Sequence, residues 1–272
     1  MTGSTPGPPR VSVVIPSLDE ADNLEAVIPG VAAEYEVIVV EGVRYRRTSE
    51  LLRHLRPDAI VVEQNRYGKG NALACGFAAA TGDIIVMFDA DGSADSAEIA
   101  RFVDAVAQGA DFAKGTRTNG GGSDDITVLR GIGNWGLTRL TNLLFRTRYS
   151  DLCYGFNAFR REVLPVLDIP LPDASDGPMR WGEGFEVETL INCRVARAGI
   201  TVVEVPSHER RRVHGVSNLN AWRDGKRVLR TLLRERRRPP TRPTPSMSMP
   251  TIPAPRVPEA EIDTTLQERP AG

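Results

Sequence analysis

The chain has 272 residues and is short of several features, each of which would have marked a class of protein. Its longest apolar runs, such as Val37 to Val40 and Ile84 to Phe88, fall far below the roughly 20 residues that span a bilayer. No transmembrane helix is expected. Three cysteines at wide spacing (Cys75, Cys153, Cys193) make no disulfide framework and show no zinc-ligand pattern, as expected of a reducing, cytoplasmic setting. The first nine residues are rich in Pro, Gly, Ser and Thr and lack the apolar segment of a signal peptide, so export is not expected. No G-x-G-x-x-G follows the first apolar run, and Gly68-Lys69-Gly70 lacks the rest of a Walker A pattern. Dehydrogenase and P-loop readings lose most of their support. Recognised nucleic-acid modules are missing too, as is the interleaving of aromatic and basic residues that base stacking requires, so no nucleic-acid partner is expected.

What remains is an ordinary core-forming composition, 41% hydrophobic and 25% charged. The net charge of −1 conceals an asymmetry, because Ser207 to Arg238 carries 11 Lys/Arg against 3 Asp/Glu. A basic block beside an acidic body points to an anionic partner (phosphate, a lipid surface or, but for the missing modules, nucleic acid) or to a solvated helix face. The last 34 residues hold 9 of the 20 prolines. Such a segment cannot bury enough apolar surface to offset its ordering entropy. The expected organisation is a flexible N-terminus (1–9), one folded domain (10–238) and a Pro-rich disordered tail (239–272).

Within the domain, Val/Ile-rich runs alternate with helical patterns. Strands are expected at Val11 to Ile15, Glu36 to Val40, Ala59 to Glu63, Ile84 to Phe88 and Asp111 to Lys114. Helices are expected at Asp22 to Ala33, Thr48 to Leu55, Gly70 to Ala80 and Ser96 to Gln108. Further on come a helix over Val128 to Arg146, a strand at Gly155 to Phe159, a helix at Phe185 to Ala198, a strand at Thr201 to Val205 and a last helix from Leu219. Near-continuous apolar strands alternating with helices mean an α/β fold, a doubly wound, mainly parallel sheet with helices on both faces. Its ligand belongs beyond the carboxyl ends of the strands.

One strand ends in Asp89-Ala90-Asp91. In extended chain the two carboxylates point the same way, about 7 Å apart. Hard oxygen ligands at that edge suit Mg²⁺ or Mn²⁺, which share their shell with substrate phosphates. Alone, Asp-x-Asp is also frequent by chance and often caps the next helix.

The ordered set is more specific than any piece. Val11-Ser-Val-Val-Ile-Pro-Ser-Leu-Asp-Glu20, Asn65-Arg-Tyr-Gly-Lys-Gly-Asn-Ala-Leu73, Ala80-Thr-Gly-Asp83 and Asp89-Ala-Asp91 follow in order. Asp151-Leu-Cys-Tyr-Gly-Phe156, Gly184-Phe-Glu-Val-Glu188, Val203-Glu-Val-Pro206 and Gly215-Val-Ser217 continue the series. Together, over Val11 to Leu233, they resemble glycosyltransferase family 2 with the GT-A fold, especially the branch that includes dolichol-phosphate mannosyltransferase. The resemblance implies a UDP- or GDP-linked sugar donor and a divalent metal, Mg²⁺ or Mn²⁺, held by Asp89 and Asp91. It places Pro16, Asp19 and Glu20 against the base and ribose, Glu41 near the nucleoside, and Lys69 near ribose or phosphates. Lys69 otherwise reads as a solvated lysine in a helix-entry turn, between glycines that permit close backbone approach. Where the family usually has Asp-Asp-Gly-Ser or Asp-Gly-Gly-Ser after the second strand, this chain has Glu41-Gly42-Val43-Arg44. The altered loop keeps open a protein that binds nucleotide sugars without catalysis, which the intact Asp89/Asp91 pair argues against.

Transfer in this family goes with inversion, by one displacement at the anomeric carbon. A phosphate-monoester acceptor such as a polyprenyl phosphate, with a second pKa near 6, needs no base at pH 7. A hydroxyl acceptor on a small molecule or saccharide needs one, and Glu183 or Glu186 is the candidate. Arg117 matches a family arginine close to the donor sugar and phosphates, and Arg130, Arg212 and Ser217 are candidates for an acceptor phosphate or the departing diphosphate. The basic terminal helix places Trp222, Leu229, Leu232 and Leu233 near one side, among arginines. It is expected either to lie peripherally on an anionic membrane or to pack its leucines on the domain.

Overall fold

The computed structural model describes residues 7–42, 47–170, 172–173, 178–215 and 221–239, without the side chains of 221–223. Most of the expected flexible N-terminus and proline-rich tail, together with Val43, Arg44, Ser217 and Leu219, lies outside the described residues.

The first half alternates as the sequence predicts: β1 (Val11–Ser17), α1 (Ala21–Val27), β2 (Glu36–Glu41), α2 (Arg47–Leu55), β3 (Ile60–Glu63), α3 (Lys69–Ala79), β4 (Ile84–Met87), α4 (Ile99–Ala107) and β5 (Phe112–Thr116). The second half adds β6 (Gly122–Ser123), α5 (Val128–Phe145), β7 (Asn157–Arg160), α6 (Leu164–Leu167), α7 (Val187–Ala198), β8 (Val202–Pro206), β9 (His208–Glu209) and α8 (Ala221–Arg237). The helix expected to run to Ala33 ends its α-turns at Val27 and tightens into a 3₁₀ turn over Ile28–Gly30. Pro29 there has no N–H to continue the ladder. The helix expected from Ser96 likewise opens with a 3₁₀ turn (Ser96–Glu98), capped where the Asp95 carboxylate accepts the Ala97 N–H.

Seven strands form one sheet in the order β3-β2-β1-β4-β7-β5-β8. All neighbours are parallel except β7, which runs antiparallel between β4 and β5. Side chains alternate faces with period two. Val13, Ile15, Val37, Val39 and Val86 pack on one side with Leu24, Leu52 and Phe102 from α1, α2 and α4. Val14, Ile38, Val40, Ile85 and Met87 pack on the other with Leu73 and Phe77 of α3 and Ile191 and Val195 of α7. Burial on both faces explains why these strands read as unbroken apolar runs.

A third cluster ties the helices of the second half together. Phe145 of α5, Leu152, Cys193 of α7 and Leu232 of α8 are buried against one another. α8 is therefore docked through Leu232, one of the three leucines that the packing alternative seats on the domain, while Leu229 and Leu233 stay exposed.

The strand order reverses between β1 and β4. Chains leaving the carboxyl ends of those two neighbours open a crevice, the usual ligand position in a doubly wound sheet. Asp19 and Glu20 follow β1, and Asp89 and Asp91 follow β4.

Candidate active site

β4 stops at Met87, one residue short of the expected strand end, although Phe88 still donates its N–H to Val14. Phe88 and Ala90 turn into the core, which leaves Asp89 and Asp91 facing the crevice. Asp91 lies in a turn, not in extended chain as the spacing predicted, and its Oδ1 accepts the Ser93 N–H at 3.0 Å. Each carboxylate carries a cation. Lys69 Nζ is 2.6 Å from Asp89, and the Arg212 guanidinium is 2.9 Å from Asp91.

Lys69 also reaches Glu188 on the first turn of α7, at 2.5 Å. Burial disfavours the lysine's charge, but Asp89 and Glu188 override it and push its pKa up. Burial pushes the Glu188 carboxyl up as well, and Asp89 adds to this while Lys69 opposes it. Gly155 admits the pair, since a Cβ there would stand 2.5 Å from Glu188 Oε1 and 3.1 Å from Asp89 Oδ2. Gly68 and Gly70 do permit close approach, but to the chain itself. Gly68 has φ of +102°, and a Cβ on either residue would collide with the backbone of Gly182 or Glu183. Lys69 is thus a fixed residue, not a solvated one.

After β1, Asp19 adopts a left-handed backbone (φ 57°) and is exposed, Pro16 is half-buried at the strand end, and Glu20 accepts from Arg212 at 3.1 Å. Burial, then the charge of Asp91, pushes Glu20 up to about 7 from an ordinary 4.5. A raised carboxyl contributes stability that is whole below pH 4.5 and is lost as pH climbs through about 7. Metal-free Glu20→Gln should therefore gain about 1–2 kcal/mol on the wild type between pH 5 and 8, allowing for partial exposure. Urea denaturation at both pH values measures it, and a constant difference would contradict the assignment. Glu41 is buried at the end of β2, where Oε1 accepts the Thr48 N–H at 3.2 Å.

Arg117 is held by two carboxylates. Its Nε and Nη2 donate to Asp151 at 2.7 and 3.0 Å, and its Nη1 to Glu209 at 3.0 Å. Burial opposes the Asp151 charge, yet Arg117 holds that carboxyl down at about 2. Asn134 of α5 donates to the same carboxylate at 2.9 Å. Arg117 thus joins β5, β9 and α5 through Asp151 and Glu209, and it also lines a groove between α5, α7 and α8. Arg130, on the first turn of α5, pairs with Asp125 at 3.3 Å.

Neither expected base faces the acidic pair. Glu183 is fully buried and is held by Arg66, whose Nε donates at 2.7 Å. Glu186 accepts the N–H groups of Gly182 at 2.9 Å and Gly184 at 3.3 Å, which fixes the turn before α7. Glu188, two residues on, is the carboxylate that reaches the site. The reading from sequence missed it because it started the helix at Phe185, whereas α7 begins at Val187.

From Glu188 a groove of roughly 440 Å³ runs between α5, α7 and α8. Leu129, Leu137, Val228 and Leu229 give it an apolar wall, with Arg117, Arg130 and Arg227 along it. Asp89 and Asp91 offer two hard oxygen donors at the crevice, each paired with a cation that a metal would replace. No group of three or more His, Cys, Asp or Glu that could hold a metal occurs among the described residues, so the two carboxylates suit a divalent ion that takes the rest of its shell from substrate phosphates and water.

A mostly parallel sheet with an acidic pair at its switch point is the GT-A architecture. Residues 12–167 match the model of Glycosyl transferase family 2, and the chain belongs to that family and is a glycosyltransferase. It is 30% identical over 231 residues to polyprenol monophosphomannose synthase of Mycolicibacterium smegmatis, covering 78% of this chain and 81% of that one. It is 32% identical over 219 residues to glycosyltransferase AglD of Haloferax volcanii, covering 72% of this chain but 32% of that longer protein. Glucosyl-3-phosphoglycerate synthase from Mycobacterium tuberculosis, solved with phosphoglyceric acid, superposes with a TM-score of 0.63 at 21% identity, over 84% of this chain and 80% of that one. The same enzyme with Mn²⁺, UDP and glucosyl-3-phosphoglycerate gives 0.59 at 23%, with the same coverage. These likenesses establish the fold.

Proposed function

We propose that this glycosyltransferase moves a sugar, with inversion, from a UDP- or GDP-linked donor to a polyprenyl phosphate, with Mg²⁺ or Mn²⁺ held by Asp89 and Asp91. The observation that carries this reading is the groove, which starts at Glu188 beside the acidic pair and is apolar along most of its length. An acceptor with a charged head and a hydrocarbon tail matches such a wall. The relative's name, polyprenol monophosphomannose synthase, agrees with it.

A bound divalent ion would neutralise charge that builds on the diphosphate as it leaves. The chain's own residues do the rest. An oxygen of the acceptor phosphate attacks the anomeric carbon, the bond from that carbon to the donor diphosphate breaks, and the nucleoside diphosphate departs with the electron pair. No proton moves, because a phosphate monoester is largely dianionic at pH 7. Arg130 and Arg227 supply positive charge along the groove, and Lys69 and Arg212 hold two further cations at the acidic pair, where donor phosphates would lie. A hydroxyl acceptor is the second reading, favoured by Glu188, whose carboxyl would take the proton.

A thermal-shift screen of UDP-, GDP- and TDP-sugars with and without Mn²⁺ tests the donor. Stabilisation by one nucleotide class that needs Mn²⁺ is expected, and no shift with any donor would contradict the reading. Lys69→Ala should weaken binding of that donor with Mn²⁺ by about tenfold, since it removes a charge-assisted contact to phosphate. Calorimetric titration checks this, and unchanged affinity would leave Lys69 a purely structural partner of Asp89 and Glu188.

A further inference from the structure

We propose that the outer face of α5 is a membrane-docking surface that inserts into an anionic lipid bilayer, while the exposed cations of α8 meet its headgroups. The proposal rests on the lipid-phosphate reading of the acceptor. Val128, Ile132, Trp135 and Leu143 lie on one side of α5 and are 81%, 64%, 63% and 78% exposed. The opposite side of the same helix is already satisfied, with Phe145 buried and Leu137, Leu140 and Leu144 packed on Leu152, Cys193 and Leu232. A helix apolar on both sides has two surfaces to cover, and the domain covers one.

Charge identifies the occupant. The 18 residues of α5 include no Asp or Glu, and their two charges are Arg130 and Arg139. Arg139 lies over the Trp135 ring at 5.5 Å, which places a cation beside an aromatic that favours the membrane interface. On α8, Asp224 and Glu235 pair with Arg227 and Arg194, whereas Lys226, Arg230, Arg236 and Arg237 are exposed. The face is apolar, and the exposed cations of α5 and of the neighbouring α8 make the surroundings basic, complementary to anionic lipid. A second copy docked by two-fold symmetry would set these cations against their own copies.

The stripe is also continuous with the groove. Leu129, Phe185 and Leu229, all exposed, line its wall. Docked in this way, the groove opens on the bilayer, and a lipid-linked acceptor reaches Glu188 without leaving apolar surroundings. Insertion thus centres on α5, while α8, held to the core by Leu232, adds the exposed Leu229 and Leu233.

The test is co-sedimentation of the full chain with phosphatidylcholine vesicles, with and without phosphatidylglycerol. The partner sample is the charge-neutral double variant Ile132→Asn, Leu143→Asn. Both positions face solvent, so the fold should hold. Val128→Asn alone is the fallback if circular dichroism shows otherwise. Expected are binding to the anionic vesicles that weakens with salt, and about a tenfold weaker partition for the variant. Three results overturn the proposal. The wild type stays in the supernatant on anionic vesicles at low salt, or wild type and variant bind equally, or light scattering finds a dimer that the variant breaks. Titration of the same samples with UDP and, separately, with GDP, each with Mn²⁺, distinguishes the two ideas: binding of neither nucleotide by the wild type counts against the transfer reading, and the vesicle result stands on its own.

Discussion

Asp89→Ala and Asp91→Ala should each reduce sugar transfer by about a thousandfold or more, the scale on which lost electrostatic stabilisation of a leaving group is felt. The melting temperature should change little. Lys69, freed from Asp89, keeps Glu188, and Arg212, freed from Asp91, keeps Glu20, so neither deletion strands a buried cation. Both carboxylates face the crevice while their neighbours Phe88 and Ala90 hold the core. Steady-state nucleotide release alongside a melting curve gives both readouts. Near-normal metal-dependent turnover in either variant would remove the pair from the mechanism, and a collapse in melting temperature would make it structural.

The second large effect is on stability. Arg66 and Glu183 have fully buried side chains and form an ion pair, and Asn71 donates its side-chain amide to the same carboxylate. The Glu183 backbone carbonyl also accepts the Gly70 N–H at 2.7 Å, so the pair fastens the turn before α7 to the start of α3. Arg66→Ala should destabilise the domain by about 3–5 kcal/mol, because it leaves an uncompensated buried carboxylate. Replacing both partners with apolar residues should cost much less, since it is the lone charge that is expensive. Urea unfolding of the single and double variants measures the difference. A loss below about 1 kcal/mol in Arg66→Ala would show that water reaches the carboxylate.

That result would also mark where sequence reasoning failed. Three glutamates lie within six residues, Glu183, Glu186 and Glu188, and only the position of the helix start decides which one faces the acidic pair. A shift of two residues turns a helix by more than half a revolution. Arg117 was hidden for a different reason. Its partners Asp151 and Glu209 are 34 and 92 residues away, a separation that no local pattern reports. Asp151 did open one of the motifs, and a buried acid at that point was the available signal. By contrast, the sheet was legible because its strands are apolar on both faces, and the acidic pair because it ends one of them. The antiparallel β7 was not, since Asn157 to Arg160 has no periodicity that distinguishes its direction. The amphipathic pattern of α8 was legible, but not that Leu232 is the leucine that docks.

The central claim is that Asp89 and Asp91 support metal-dependent transfer from a nucleotide sugar to a lipid phosphate. Its most direct test is nucleotide release by the full chain, stripped with EDTA and supplied with the donor that stabilises it and a short polyprenyl phosphate, with and without Mn²⁺. The account predicts release that requires both Mn²⁺ and the polyprenyl phosphate, yields a glycosylated lipid of inverted anomeric configuration, and vanishes in Asp91→Ala. Equal release without metal, or a product with the donor's configuration retained, would contradict it.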